Sequence, residues 1–231
     1  MNYTGFANRV HSEAKGETTL TAIDFSPSMD FNDWKPTRLS GAITANTELI
    51  KKKLKLFPDD RVGIIGFGNV AKLMHAPVCL KSGHENLIRA LETRVKSDGT
   101  NFVAALNLAE KCFADKMIQP TGNPVSDMLT GLFFEMKPKK IMDNNHKRII
   151  LLTDGQHNGG GSPATVAQRL KDIGVIIDCI GIGGAPKDVD ENLLRMIASQ
   201  NPDGSVRYCF IGDQDQLISK YESLATHIMP L

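Results

Sequence analysis

Cysteine is scarce in this sequence, which has four in a chain of 231 residues. They are Cys79, Cys112, Cys179 and Cys209, and their wide separation matches no zinc-binding spacing. Cys179 and Cys209 stand inside apolar runs, where a cysteine behaves as a small hydrophobic residue. This usage is typical of a reducing compartment and argues against a small domain stabilised by disulfides.

Long hydrophobic runs are also missing. No stretch reaches the roughly 18 apolar residues that a membrane-spanning helix needs. The first ten residues lack the apolar core of a signal peptide. Together with the cysteine usage, these absences predict a cytoplasmic protein without a membrane span.

Neither sign of charge is in excess, since 27 lysines and arginines face 26 aspartates and glutamates and give a formal net charge of +1. Such a balance does not indicate binding to nucleic acid or to an anionic membrane. The one basic run, at 51–55, lies in a helical pattern, and we interpret it as a solvated helix face. An apolar content of 41% is enough for the core of one large α/β domain.

Strand-like and helical patterns alternate along the chain. The predicted strands are 18–25, 61–67, 147–153, 175–182 and 206–211, with a further extended piece at 70–74 that forms a hairpin with the second strand. The predicted helices are 37–56, 85–95, 101–116, 163–173, 190–199 and 214–228. This order predicts an α/β fold with a Rossmann-like, open, mostly parallel sheet, one antiparallel edge strand and helices on both faces.

The same patterns predict an N-terminal arm at 1–17 and a single domain at 18–231. A long connection at 116–146 leads from a helix into the central strand, and it is rich in apolar residues. We interpret it as a short helix packed on the body. A surface for self-association or for a partner is the alternative, because large exposed apolar patches are unusual.

Five oxygen-bearing side chains fall at the ends of predicted strands or just before a helix. Asp24, Ser26 and Ser28 follow the first strand, Thr100 lies in a turn before a helix, and Asp154 follows the central strand. Ligands of open α/β sheets gather at the carboxyl ends of the strands. Carboxylate and hydroxyl oxygens suit a magnesium-type ion, so the pattern predicts a metal site.

Each of these pieces has a simpler explanation when it is taken alone. Serine and aspartate are common in turns and at helix caps, and Thr100 or the following Asn101 could only cap the next helix. The combination of all the pieces at the ends of secondary-structure elements favours the metal site.

The Asp-x-Ser-x-Ser sequence at 24–28, the Gly-Thr-Asn turn at 99–101 and the Thr-Asp-Gly sequence at 153–155 resemble the metal-ion-dependent adhesion site (MIDAS) of the von Willebrand factor A (VWA) domain family. The resemblance runs from about residue 18 to residue 228. It implies the VWA fold and a divalent ion, with Mg²⁺ expected and Mn²⁺ or Ca²⁺ as alternatives. The implied ligands are Asp24, Ser26, Ser28, Thr100 and Asp154.

Two features depart from the family pattern. Pro27 stands where the family commonly has glycine, and it removes a backbone donor from the loop. The connection at 116–146 is longer than the family's usual one.

The resemblance also implies a protein-binding module rather than an enzyme. In such a module, a Glu or Asp of a partner protein completes the coordination of the ion. Intracellular bacterial members of the family suggest an AAA+ ATPase or a signalling enzyme as the partner. We interpret His157, in the glycine-rich loop after Asp154, as a solvated loop residue, with contact to a partner or pH tuning of the site as the alternative.

Two other functions stay open at this point. One is a metal-dependent hydrolase of phosphate esters that uses the ion as a Lewis acid, although the sequence shows no evident general base. The other is an assembly component that forms oligomers through 116–146.

Overall fold

A six-stranded sheet forms the centre of the structure, a computed structural model that describes residues 16–114 and 145–226. The strands lie in the order β3-β2-β1-β4-β5-β6. They are β1 (Glu17–Asp24), β2 (Arg61–Phe67), β3 (Ala71–Cys79), β4 (His146–Thr153), β5 (Val175–Ile182) and β6 (Tyr208–Ile211). All neighbours are parallel except β3, which runs antiparallel to β2 at the edge. The predicted fold class is confirmed.

Helices cover both faces of the sheet. The helices are α1 (Arg38–Leu56), α2 (Leu80–Leu91), α3 (Phe102–Ala114), α4 (Pro163–Asp172), α5 (Glu191–Ile197) and α6 (Gln214–Thr226). Helices α1, α2 and α6 pack on one face, and α3, α4 and α5 pack on the other. Within β4, Ile150 and Leu152 face the first core while Ile149 and Leu151 face the second, as strand geometry requires. The central strands are therefore apolar on both sides.

The order of the strands places β1 and β4 side by side at the middle of the sheet. The chain adds β2 and β3 on one side of β1, and it then returns to add β4, β5 and β6 on the other side. The parallel register aligns Ile23 with Leu152. The residues that follow them therefore emerge next to each other at the topological switch point, where open α/β sheets bind ligands.

Helix α2 begins five residues earlier than predicted, and the prediction of 85–95 is wrong at both ends. The cause is Gly83, which reads as a turn residue in the sequence. A Cβ on Gly83 would lie 2.5 Å from Val78 Cγ2, so the glycine lets the helix pack closely on the end of β3. Strand β3 itself continues to Cys79, and it accommodates Pro77 because it is an edge strand.

The basic run at 51–55 is not a uniformly solvated face, and that interpretation is wrong at Lys53. Lys53 is 2% exposed, and its Nζ donates to Glu17 Oε1 at 2.9 Å and to Asp60 Oδ2 at 2.8 Å. Both carboxylates lie where β1 and β2 begin, and α1 passes over them. A buried arginine, Arg148, adds an ion pair to Glu17 at 3.5 Å.

Some predictions concern residues outside the described part of the chain. These are residues 1–15 of the predicted arm at 1–17 and most of the connection at 116–146, so both interpretations of that connection remain predictions. Strand β1 begins at Glu17, one residue before its predicted start. None of the helices within residues 16–114 and 145–226 has the length and apolar character that spanning a membrane requires.

Candidate metal centre

Asp154 meets two serines from the other end of the sequence at the carboxyl edge of β1 and β4. Ser28 Oγ donates to Asp154 Oδ1 at 2.7 Å, and Ser26 Oγ lies 3.4 Å from the same oxygen. The two hydroxyls are themselves 3.2 Å apart. Ser26 is buried and Ser28 is half-buried, so the group opens towards solvent on the Ser28 side.

The loop after β1 gets its shape from Asp24. Asp24 Oδ1 accepts a 2.8 Å hydrogen bond from the backbone N–H of Ser26, which makes a compact aspartate turn. A short 3-10 turn, Pro27–Asp30, follows directly and presents Ser28. Pro27 occupies the first position of that turn, where a backbone donor has no partner within the turn, so this departure from the family pattern fits the local geometry.

Thr153 fixes the second oxygen of Asp24, a contact that sequence reasoning missed. Thr153 Oγ1 donates to Asp24 Oδ2 at 2.6 Å, and it accepts a 3.1 Å hydrogen bond from the N–H of Gly155. Thr153 and Asp154 therefore both contact the end of β1 and the loop that follows it: Thr153 binds Asp24, and Asp154 binds Ser26 and Ser28. The only sequence signal was the hydroxyl residue directly before Asp154.

Thr100 lies against the loop that follows Asp154. Its backbone N–H donates to Asn158 Oδ1 and its C=O accepts from the Asn158 N–H, both at 2.9 Å. A Cβ on Gly155 would lie 3.1 Å from Thr100 Oγ1. The cap of α3 is instead Asn101, whose Oδ1 accepts from the N–H of Ala104 at 3.0 Å. The structure thus brings Thr100 beside Gly155, the residue after Asp154, and leaves the capping to Asn101.

The interpretation of His157 as a solvated loop residue is wrong. The imidazole is half-buried and stacks on Phe102, with ring centroids 5.5 Å apart. Its Nδ1 accepts a 3.2 Å hydrogen bond from the N–H of Phe102, in the first turn of α3. His157 therefore joins the loop after Asp154 to the helix that follows Thr100.

Arg38 is a residue of this centre that sequence reasoning did not single out. Its Nη1 donates to Asp154 Oδ2 at 3.0 Å, and its Nε donates to both oxygens of Asp33 at 2.9 and 3.1 Å. The side chain is only 7% exposed. One signal was available, because Arg38 opens α1 and a cation at a helix N-terminus is unfavourable unless anions surround it.

Burial dominates the electrostatics of the two aspartates. Burial raises the pKa of Asp24 to about 7; hydrogen bonds from Thr153 and Ser26 oppose the rise, and the charge of Asp154 adds to it. Burial likewise raises the pKa of Asp154 above its ordinary value, although hydrogen bonds from Ser28 and Arg38 partly offset it. Of these two buried carboxylates only Asp154 pairs with an arginine, so the pair leaves negative charge that a divalent cation would stabilise.

The residues present fit such a cation. Two carboxylates and three hydroxyls form an all-oxygen set, which is the chemistry that Mg²⁺ and Mn²⁺ prefer. Within residues 16–114 and 145–226, no three histidine, cysteine, aspartate or glutamate side chains converge as metal ligands. The candidate set therefore consists of hydroxyl oxygens together with the two carboxylates.

A family model described as the von Willebrand factor type A domain matches residues 19–156, a range that contains all five candidate ligands. No curated protein matches the chain.

Solved structures share the fold at low sequence identity. Proximal thread matrix protein 1 from the mussel byssus, in a form with a zinc-occupied MIDAS motif, has a TM-score of 0.66 and 19% identity over 91% of this chain and 47% of its own. A von Willebrand factor type A structure from Catenulispora acidiphila has a TM-score of 0.65 and 19% identity over 91% of this chain and 42% of its own. The SpRpn10 VWA domain has a TM-score of 0.63 and 17% identity over 93% of this chain and 99% of its own. The chain thus spans less than half the length of the first two proteins.

Proposed function

The chain belongs to the von Willebrand factor type A domain family. We propose that it is a non-enzymatic module that binds a partner protein through a divalent ion. The family consists of protein-interaction and adhesion modules that are generally not catalytic. In this proposal Asp24, Ser26, Ser28, Thr100 and Asp154 hold the ion. Mg²⁺ is the proposed ion, with Mn²⁺ or Ca²⁺ as alternatives.

One observation carries the proposal. Asp154 Oδ1 accepts from Ser28 at 2.7 Å and lies 3.4 Å from Ser26 Oγ, although these serines stand more than 120 positions earlier in the chain. A turn or a helix cap would not require this convergence, because caps are satisfied by backbone groups a few residues away. The convergence supports a site that needs the three oxygens together.

The charges of the site explain why it would attract a carboxylate. The serine and threonine hydroxyls are neutral, and the two aspartates contribute the only negative charges among the proposed ligands. Arg38 already pairs with one of those aspartates. A bound divalent ion would supply an electrophilic centre for one more oxygen ligand. The ion would keep an open coordination position on the side of Ser28, and a Glu or Asp side chain of a partner would fill that position.

The partner itself is proposed only as a class. It is a protein with an accessible acidic residue, and an AAA+ ATPase or a signalling enzyme is the candidate that the family resemblance supplies. All four cysteines are unpaired, and this usage supports a reducing compartment such as the cytoplasm. The hydrolase alternative gains no support, since no third carboxylate or histidine joins Asp24 and Asp154 as a ligand in the described part of the chain.

Calorimetric titration of chelator-stripped protein with Mg²⁺ and then Mn²⁺ tests the proposal. We expect saturable one-to-one binding that is lost in the double variant Ser26→Ala, Ser28→Ala. Ser82→Ala is the matched control, because it removes an exposed hydroxyl far from the proposed ligands in the fold. Circular dichroism of each variant confirms that the fold is retained.

A second measurement tests the partner carboxylate. Proteins captured by the native chain in Mg²⁺ are compared with those captured in chelator and by the double variant. A captured partner should lose binding when its contacting Glu or Asp is changed to the amide. The proposal is wrong if the double variant captures the same partner with the same dependence on Mg²⁺.

A further inference from the structure

Arg38 holds carboxylates on three sides of its guanidinium. The guanidinium donates through Nε and Nη2 to Asp33 and through Nη1 to Asp154. Its Nη2 also lies 3.8 Å from Asp188 Oδ2. Asp33 and Asp188 are both partly exposed, whereas the Asp154 side chain is fully buried. The arginine therefore joins the candidate metal centre to the two loops that contain Asp33 and Asp188.

As a result, the two oxygens of Asp154 contact different partners. Oδ1 faces the hydroxyls of Ser26 and Ser28, while Oδ2 accepts from Arg38 at 3.0 Å. An oxygen that accepts a charge-assisted hydrogen bond from a buried guanidinium has part of its negative charge compensated, so it attracts a metal less strongly than the other oxygen of the same carboxylate. Asp154 can thus offer a metal one oxygen.

Asp24 is restricted in a similar way. Its Oδ2 accepts from Thr153 at 2.6 Å and its Oδ1 from the Ser26 N–H at 2.8 Å. Each aspartate therefore has at least one oxygen whose charge a protein donor already compensates, which disfavours two-oxygen coordination of a metal by either carboxylate.

The distinction matters because divalent ions differ in the number of oxygens that they need. Ca²⁺ takes about six to eight oxygens and commonly uses both oxygens of a carboxylate, whereas Mg²⁺ takes six and usually combines one or two carboxylates with waters. A set with two single-oxygen carboxylates and neutral hydroxyls suits the smaller ion.

We infer that Arg38 is a positioning residue that makes the site select Mg²⁺ or Mn²⁺ over Ca²⁺, by occupying Asp154 Oδ2. The inference rests on the proposed function, since it presupposes that the site holds a metal. Asp33 anchors the guanidinium independently of Asp154, with hydrogen bonds from Nε to both Asp33 oxygens, so the arginine keeps its place when the ligand set is occupied.

The test compares the dissociation constants of Mg²⁺ and Ca²⁺ for the native chain, Arg38→Gln and Arg38→Lys, by calorimetry without any partner. Loss of the guanidinium charge strengthens the binding of both ions to a similar degree, so the ratio of the two constants isolates the coordination effect. We expect the native chain to prefer Mg²⁺, and Arg38→Gln to shift the ratio towards Ca²⁺ by about tenfold, the scale of metal-affinity changes when a group behind a ligand is lost.

Arg38→Lys keeps the charge but loses the planar fork that reaches Asp33 and Asp154 together. We expect it to shift the ratio in the same direction, and it decides the matter if the glutamine variant does not fold. Arg94→Gln is the control, because Arg94 is an exposed cation that pairs with Asp30 in the loop of Ser28, and its loss should leave the ratio unchanged.

Three results are informative in different ways. A ratio that is unchanged in the folded Arg38 variants overturns the role of Arg38 and leaves the metal site standing. A loss of affinity that is equal for both ions also overturns it, because it shows a purely structural role. A native chain that binds neither ion overturns the proposed function instead.

Discussion

Thr153 Oγ1 lies 2.6 Å from Asp24 Oδ2 and donates a hydrogen bond across the boundary between the two central strands. Both side chains are fully buried. Asp154, the next residue, takes hydrogen bonds from the two serines that follow Asp24. The candidate centre is therefore held by the last residue of β4, which binds Asp24, and by the residue that follows it, Asp154.

Thr153→Val should weaken metal binding and the fold together. It removes the hydroxyl that donates to a buried carboxylate, and we expect a loss of about 1–3 kcal/mol in the free energy of unfolding. Metal affinity should fall about 10- to 100-fold, as is usual when the group that orients a ligand is removed. Denaturant unfolding and calorimetry measure the two effects.

Thr21→Val is the matched control for that change. Thr21 is also buried in the central sheet, but its Oγ1 has no hydrogen-bond partner among the described residues. Its replacement should leave stability unchanged or raise it. Equal losses in the two variants would show that the Thr153 hydroxyl has no special role.

Gly155→Ala should lower the affinity for the ion and for a partner, with little effect on the fold. The new Cβ would lie 3.1 Å from Thr100 Oγ1, so the threonine would have to move by a few tenths of an ångström. Gly160→Ala provides the comparison in the same loop, since nothing lies within 4 Å of a Cβ there. Calorimetry should separate the two variants, and equal affinities would argue against Thr100 as a ligand.

Lys53→Met should destabilise the protein strongly. The buried ammonium compensates Glu17 and Asp60, and its removal leaves two carboxylates without their nearest cation. We expect a loss of about 3–5 kcal/mol in the free energy of unfolding. Lys52→Met is the comparison, because Lys52 is one-third exposed and its pair with Glu222 should contribute less than about 1 kcal/mol. Similar losses in denaturant unfolding would contradict the buried pairing.

Glu17 should make stability depend on acid pH. Burial alone would raise the pKa of its carboxyl, but the charges of Arg148 and Lys53 outweigh burial and hold the pKa below the ordinary value of 4.5. The unfolded chain therefore takes up the proton first as the pH falls. The stabilisation is complete above pH 4.5 and is lost as the pH falls through the lower, folded-state pKa.

The measurement is the difference in unfolding free energy between the native chain and Glu17→Gln, followed from about pH 7 to about pH 3. The difference should shrink on acidification. Glu85→Gln, at a side chain that is 73% exposed, should show a small difference at every pH. A difference for Glu17→Gln that does not change with pH would refute the assignment.

The part of this centre that can be predicted from the sequence depends on residues that are close together along the chain. The strand before Asp24, the turn that presents Ser26 and Ser28, and the strand before Asp154 are all local patterns of hydrophobicity and turn residues. The parallel order of strands then brings the ends of β1 and β4 together, which is why Asp154 lies against Ser26 and Ser28, while the set of five ligands stays a prediction.

The missed parts depend on contacts between distant segments. Arg38 acquires its role from Asp33, Asp154 and Asp188, and no local pattern links these positions. Lys53 looks like one of several surface lysines until α1 is known to cross the beginnings of two strands. Gly83 lies inside a helix, where the absence of a Cβ allows close packing against Val78. In each case the tertiary contact overrides the local preference.

The strand order also divides the centre between two separable lengths of polypeptide. Residues 16–114 contribute β1, β2 and β3 with four of the five candidate ligands and Arg38, while residues 145–226 contribute β4, β5 and β6 with Asp154. During synthesis, the first length leaves the ribosome with an incomplete set of donors that only the second can complete. Under the proposed function, two fragments cut between these lengths would bind the ion only after they reassociate along the paired strands β1 and β4, so ion binding would report their reassociation.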